Sequence, residues 1–118
     1  MEKLSESVFS LGMGSLVGLY GNKGPLAIVA YGHKVVTTKK GEEVKVLVVA
    51  TEEGELLATR SGGLLHQWSQ LEEYGLPDVL TVKVRSKEID SEDYPAGATT
   101  WEFVGVYKQG ASAAAGAE

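Results

Sequence analysis

Residues 26–107 predict an all-β fold with one short helix, in the order strand-strand-strand-helix-strand-strand. Three observations carry that prediction. Residues 26–38 and 44–50 are rich in β-branched residues, residues 55–59 form a short third run, and turn signals separate the three. Residues 63–74 place Leu64, Leu65, Trp68 and Leu71 at helical spacing. Residues 79–85 and 99–107 then return to strand character. This order is that of a five-stranded OB-like Greek-key barrel, a fold that binds ligands through one face and its loops. Residues 1–25 read as an N-terminal apolar arm or extra strand. Residues 26–109 form the barrel domain, and the Gly/Ala/Ser stretch 110–118 reads as a disordered tail.

Each element has its own justification. Residues 8–20 are apolar but carry glycines at 12, 14 and 18. Each glycine costs a helix about 1 kcal/mol relative to alanine, so a strand or extended arm is expected there. Residues 21–25, Gly-Asn-Lys-Gly-Pro, read as a turn. Gly32 stands inside the first core strand, where a bend or bulge is expected. Lys39-Lys40-Gly41-Glu42 and Glu52-Glu53-Gly54 read as hairpin turns. Ser61 is placed to cap the helix, and Gly75 with Pro77 ends it. Leu80, Val82 and Val84 alternate with Thr81, Lys83 and Arg85, as a half-buried strand requires. Residues 86–98 read as a polar loop. Leu80, Val82, Val84, Val46, Val48 and Trp68 are expected to be buried together.

Composition bounds the function. The chain has 118 residues, enough for one domain, and 43% of them are hydrophobic, enough for a modest core. No apolar run reaches the roughly 20 residues of a membrane span, so no membrane partner is expected. The first residues are acidic and polar and do not read as a secretory signal. Cysteine is absent, which removes disulfides and thiolate metal ligands and fits a cytoplasmic setting. The net charge of −5 argues against a simple basic duplex-coating protein.

Catalytic chemistry has little to stand on. His33 and His66 lack the spacing of a helical metal pair. No nucleophile elbow surrounds Ser61 or Ser69, and the early glycines do not match a phosphate-loop fingerprint. The acids Glu42, Glu43, Glu52, Glu53 and Glu55 sit in turns, where solvent keeps carboxylates ordinary. A non-enzymatic protein without metal or cofactor is expected.

The cations are more suggestive. Lys34, Lys39, Lys40 and Lys45 flank the first hairpin, and Lys83 and Arg85 share the polar face of the fourth strand. They form either one basic strip or an ordinary solvated face. Aromatic rings decide what such a strip can hold, because single strands bind through stacking plus a cationic groove. Tyr31, Tyr94, Trp101, Phe103 and Tyr107 are the candidates. Phe103 and Trp68 suit the core, and Trp101 suits a rim.

The run from Val46 to Thr59, VLVVATEEGELLAT, followed by a helix, Leu80-Thr81-Val82-Lys83-Val84, a polar loop and an aromatic strand, resembles phage-encoded single-stranded DNA-binding proteins. The pattern is that of small tailed phages with protein-primed replication. The resemblance implies an OB-like barrel that coats displaced strands during replication or recombination in the host cytoplasm. It implies stacking aromatics and strand-face cations as contacts, carried over to Lys83 in the matching V-K-V and, by strand position, to Tyr31 and Trp101; with Lys34, Lys45 and Arg85 of the basic strip these are the expected contacts to single-stranded DNA or RNA. Residues 110–118 differ from the acidic, Phe-ended tail of many cellular relatives and are not expected to recruit partner proteins in the same way, and residues 9–24 have no counterpart in the pattern. A homo-oligomer joined through the apolar arm is expected. The alternative is a small self-assembling structural barrel of a phage or plasmid.

Overall fold

The computed structural model of the chain describes residues 1–5, 7–8, 12–89, 92–95 and 97–105. In order its elements are β1 (Glu2–Lys3), β2 (Gly14–Ser15), α1 (Leu16–Tyr20), β3 (Leu26–Thr37), β4 (Glu43–Thr51), β5 (Leu56–Thr59), α2 (Gly62–Tyr74), β6 (Leu80–Glu88) and β7 (Thr99–Gly105). The five expected strands and the helix are β3 to β7 with α2. Strand β6 runs three residues further than its alternation foretold. Tyr107 and the 110–118 tail lie outside the described residues.

The strands form one mixed sheet in the order β2-β5-β4-β3-β6-β7, with β1 attached to β3. It is an open sheet of seven strands, where a barrel of five was expected, and β5 and β7 do not pair among the described residues. The cause lies at the two edges. On β5, the place of a closing partner is taken by β2, which pairs in parallel at Gly14–Leu57 and Ser15–Ala58. On β7, α2 covers the edge. Gln67 Nε2 donates to the Phe103 carbonyl at 2.7 Å, and the Phe103 N–H donates to Gln67 Oε1 at 2.6 Å. One side chain thus satisfies both outward groups of an edge residue, as a neighbouring strand would. Gly63 makes the approach possible. A Cβ there would stand 2.5 Å from the Trp101 carbonyl oxygen and from Thr100 Oγ1.

Strand β3 holds the sheet together by changing partners along its length. Leu26–Ile28 pair with Leu80–Val82 of β6, while Ala30–Thr37 pair with β4. The register shifts between Ile28 and Ala30, so the irregularity falls there and not at Gly32. A bulge adds twist where a sheet must curl. Gly32 instead pairs regularly with Val48.

The concave side holds the core. Leu26, Ile28, Tyr31, Leu47, Val49, Leu57, Val82, Val84 and Phe103 meet Leu64 and Trp68 of α2. Trp68 is fully buried, its ring centroid 5.4 Å from Tyr31 and 5.7 Å from Phe103. Leu80, Val82, Val84 and Trp68 point as expected, with Leu80 only partly buried. Val46 and Val48 do not. They are buried outside this cluster, because Leu47 and Val49 take the inward positions of β4 and alternation sends their neighbours to the other face. The Ser61 side chain caps α2 on the Leu64 N–H, and Gly75 ends it with its N–H on the Leu71 and Glu72 carbonyls.

The apolar arm differs from expectation. Residues 16–20 are helical despite Gly18, because Ser15 Oγ accepts from the Gly18 N–H at 3.0 Å and Leu16 is fully buried in the core. Tertiary burial outweighs the propensity cost of one glycine. Tyr20 then ties α1 to Glu55 at the start of β5 by a short hydrogen bond. That hydrogen bond, then burial, then the charges of Glu55 and Glu53, push the Tyr20 hydroxyl up to about 12. Within Gly12–Tyr20, Leu16 is buried in the chain's own core, while Leu19 is half exposed.

Candidate nucleic-acid interface

The register assigns each expected contact to a face, since cross-strand partners share a side. Lys34 lies opposite Val46, and Lys45 lies opposite Val35. The two lysines therefore point to opposite faces of one hairpin. Among the described residues, β3 beyond His33 pairs with β4 alone, so residues 34–45 stand as a two-stranded finger with Lys39 and Lys40 at its tip. Val35 is 61% exposed on it.

Lys83 and Arg85 share the outward face of β6 with Lys87, opposite the buried Val82 and Val84. Arg85 is engaged by Glu102 of β7, with Nη2 at 2.6 Å and Nε at 3.1 Å from the same carboxylate oxygen. Lys83, Arg85 and Lys23 line a shallow depression beside Asn22, whose side chain holds Ser86. The expected strip is therefore two groups. Lys83 lies one position beyond the Leu26–Val82 pair, some eight strand positions from Lys34, or on the order of 25 Å. Glu52 and Glu53 stand near that path, sharing a depression with Ala27 and Thr81.

The aromatic residues are redistributed too. Tyr31, expected to stack on bases, is 6% exposed and belongs to the core. Its hydroxyl donates to Glu72 Oε2 at 3.2 Å, and Lys3 lies over its ring at 5.8 Å. Glu72 lies four residues beyond Trp68 on α2 and faces β3. Its Oε1 is 2.7 Å from His33 Nε2. Among the described residues His33 Nδ1 is buried without a partner, so in the neutral ring the proton sits on Nε2 and is donated to Glu72. Burial pushes the Glu72 carboxyl up, but His33, the Tyr31 hydroxyl and Lys3 outweigh it and hold it below its ordinary value. Burial and the Glu72 charge raise Tyr31 in turn. Tyr94 is half exposed in the β6–β7 loop.

Trp101 keeps the rim position expected of it, but on the opposite face of the β6–β7 ladder from Lys83 and Arg85. It pairs with Ser86 in register and packs partly against the core. Its six-membered ring rests on Gly21, where a Cβ would come within 2.9 Å. Trp101 lines a cleft of about 740 Å³ between the arm, the β5–α2 turn and the start of β7. Arg60 lies on the same cleft. Arg60 and Trp101 are far apart in sequence, and only the packing of α2 against β7 brings them to one cleft.

Among the described residues, no group of three His, Cys, Asp or Glu is placed to hold a metal ion, and no helix is long and apolar enough to cross a membrane. The chain matches no protein-family model, no curated protein and no solved structure, so its interface is read from its own geometry.

Proposed function

We propose that the protein is a non-enzymatic single-stranded nucleic-acid-binding protein, a coat for displaced strands in replication or recombination. The observation that carries this reading is the free-standing β3–β4 finger. Residues 34–45 hold Lys34, Lys39, Lys40 and Lys45 against Glu42 and Glu43, a net of +2 in a chain of net −5. Lysines on both faces and at the tip present charge around the finger, which suits a flexible phosphate backbone. The acids of the β4–β5 turn lie at the other end of β4, about 30 Å away along nine residues. Physiological salt screens exposed charges beyond roughly 8 Å, so the finger acts locally.

The strand order supports the same reading. The path β5-β4-β3-β6-β7 with a helix between β5 and β6 is the order of an OB barrel opened at one seam. In that fold the hairpin between the first two strands is one of the loops that grip oligonucleotides, and here it is the lysine finger. Self-assembly through the arm, the alternative, loses its motive where Leu16 lies in the chain's own core.

Titration with oligo(dT) and with matched duplex at two salt concentrations tests the proposal. Binding to the single strand is expected to weaken with salt by a slope of about −0.7 per neutralised phosphate. Replacing Lys39 and Lys40 together by alanine is expected to flatten that slope by about 1.4. Absence of single-strand binding at low salt, or equal binding to duplex, overturns the reading.

A further inference from the structure

The cleft that joins Trp101 to Arg60 is not part of the finger, and its chemistry differs from the rest of this acidic surface. The chain carries 16 Asp and Glu, yet among the described residues no carboxylate lines this cleft. Arg60 is exposed, and among the described residues it has no ion-pair or hydrogen-bond partner. Trp101 forms another part of the wall, its ring held against Gly21. Met13, Val46 and Ala58 add apolar surface, and Thr99 adds a hydroxyl. The volume, about 740 Å³, is that of a small-molecule site.

An unpaired guanidinium, a half-buried indole and hydroxyls in a cavity free of carboxylates select a ligand that is at once anionic and aromatic. We propose that this cleft binds one nucleotide, with the base against Trp101 and the phosphate at Arg60, either free or as the phosphorylated end unit of a single strand. Guanidinium suits phosphate because its planar donors match two oxygens at once. Indole suits a base because every base offers a π-face. The proposal shares its ligand class with the function proposed above but rests on different residues, so the two fail separately.

Tryptophan fluorescence reads the site directly. Trp68 is fully buried, so quenching by an added nucleotide reports on Trp101. The full chain is titrated with dTMP, thymidine, inorganic phosphate, and oligo(dT) with and without a 5′-phosphate. dTMP is expected to quench, thymidine to bind at least about tenfold more weakly, and Arg60→Ala to lose about tenfold for dTMP, the worth of one charge-assisted hydrogen bond. Arg60 is exposed, so its replacement leaves the fold intact. Trp101→Phe is expected to retain dTMP binding, followed by calorimetry. A preference for 5′-phosphorylated oligo(dT) that disappears in Arg60→Ala identifies the strand end as a source of the nucleotide, and quenching by dTMP without that preference identifies the free nucleotide. Equal binding of dTMP and thymidine, no quenching at millimolar dTMP, or full dTMP binding by Arg60→Ala overturns the proposal. Binding of dTMP without oligo(dT) binding leaves the cleft standing and removes the single-strand reading. Oligo(dT) binding that depends on Lys39 and Lys40, with no dTMP quenching, does the reverse.

Discussion

Glu72 shows how one residue can carry more than its place in a helical pattern suggests. It takes hydrogen bonds from His33 and Tyr31 and so fastens the C-terminal half of α2 to β3. A carboxyl held below its ordinary value stabilises the fold above its unfolded pKa, and that contribution is lost as pH falls through the folded one. Urea midpoints measured from neutral pH down through the carboxylate range are expected to fall for the native chain. For Glu72→Gln they are expected to start lower and change less. Equal pH dependence of the two proteins contradicts the assignment. Some of this scale was legible in the sequence. The Ser61 cap and the Gly75 stop follow from local backbone needs. Polarity alone places Glu72 on the solvent side, although its spacing of four from Trp68 continues the inward row. The ring of Tyr31 suits stacking by type, but strand position alone does not say which face is covered.

Elements were read well where they depend on their own residues and poorly where they depend on a neighbour. Strands β3 to β7 and α2 follow from alternation, helical spacing and turn residues. The open edge of β7 does not, since it depends on a glutamine side chain standing in for a strand. Replacing Gln67 by leucine leaves the Phe103 N–H and carbonyl without protein partners. It is expected to cost about 1–3 kcal/mol in chemical denaturation. Gln67→Glu keeps one acceptor for the N–H and loses the donor, so an intermediate loss is expected. No loss in either protein would show that water serves Phe103 equally well. The helix α1 was missed for a related reason. Its glycines speak against a helix, and only the vacancy beside β5 and β6 makes burial of Leu16 worth more than they cost.

For the whole molecule, the arm completes the core. Leu16→Ala is expected to destabilise by about 2–5 kcal/mol, as for other buried leucines, without altering the mass measured by light scattering. A change in mass with little change in stability would restore the arm to an intermolecular role. The overall order of the fold and the acidic balance were legible because they sum over many residues. The closure of the sheet and the split of the cations were not, because each depends on the parity of a register, and a single bulge between Ile28 and Ala30 resets it.

The arm also has a topological consequence. From β2, hydrogen bonds lead through β5, β4 and β3 to β6, and Asn22 N–H returns to the Val84 carbonyl at 2.7 Å. Between Ser15 and Gly21 the circuit is completed by covalent bonds. The sheet is thus a loop with a peptide clasp where a barrel has a ladder of hydrogen bonds. A ladder parts gradually, one bond at a time. A clasp parts all at once, and a single proteolytic cut beside Leu19, which is half exposed, would turn a closed circuit into an open ribbon without breaking any pairing between strands.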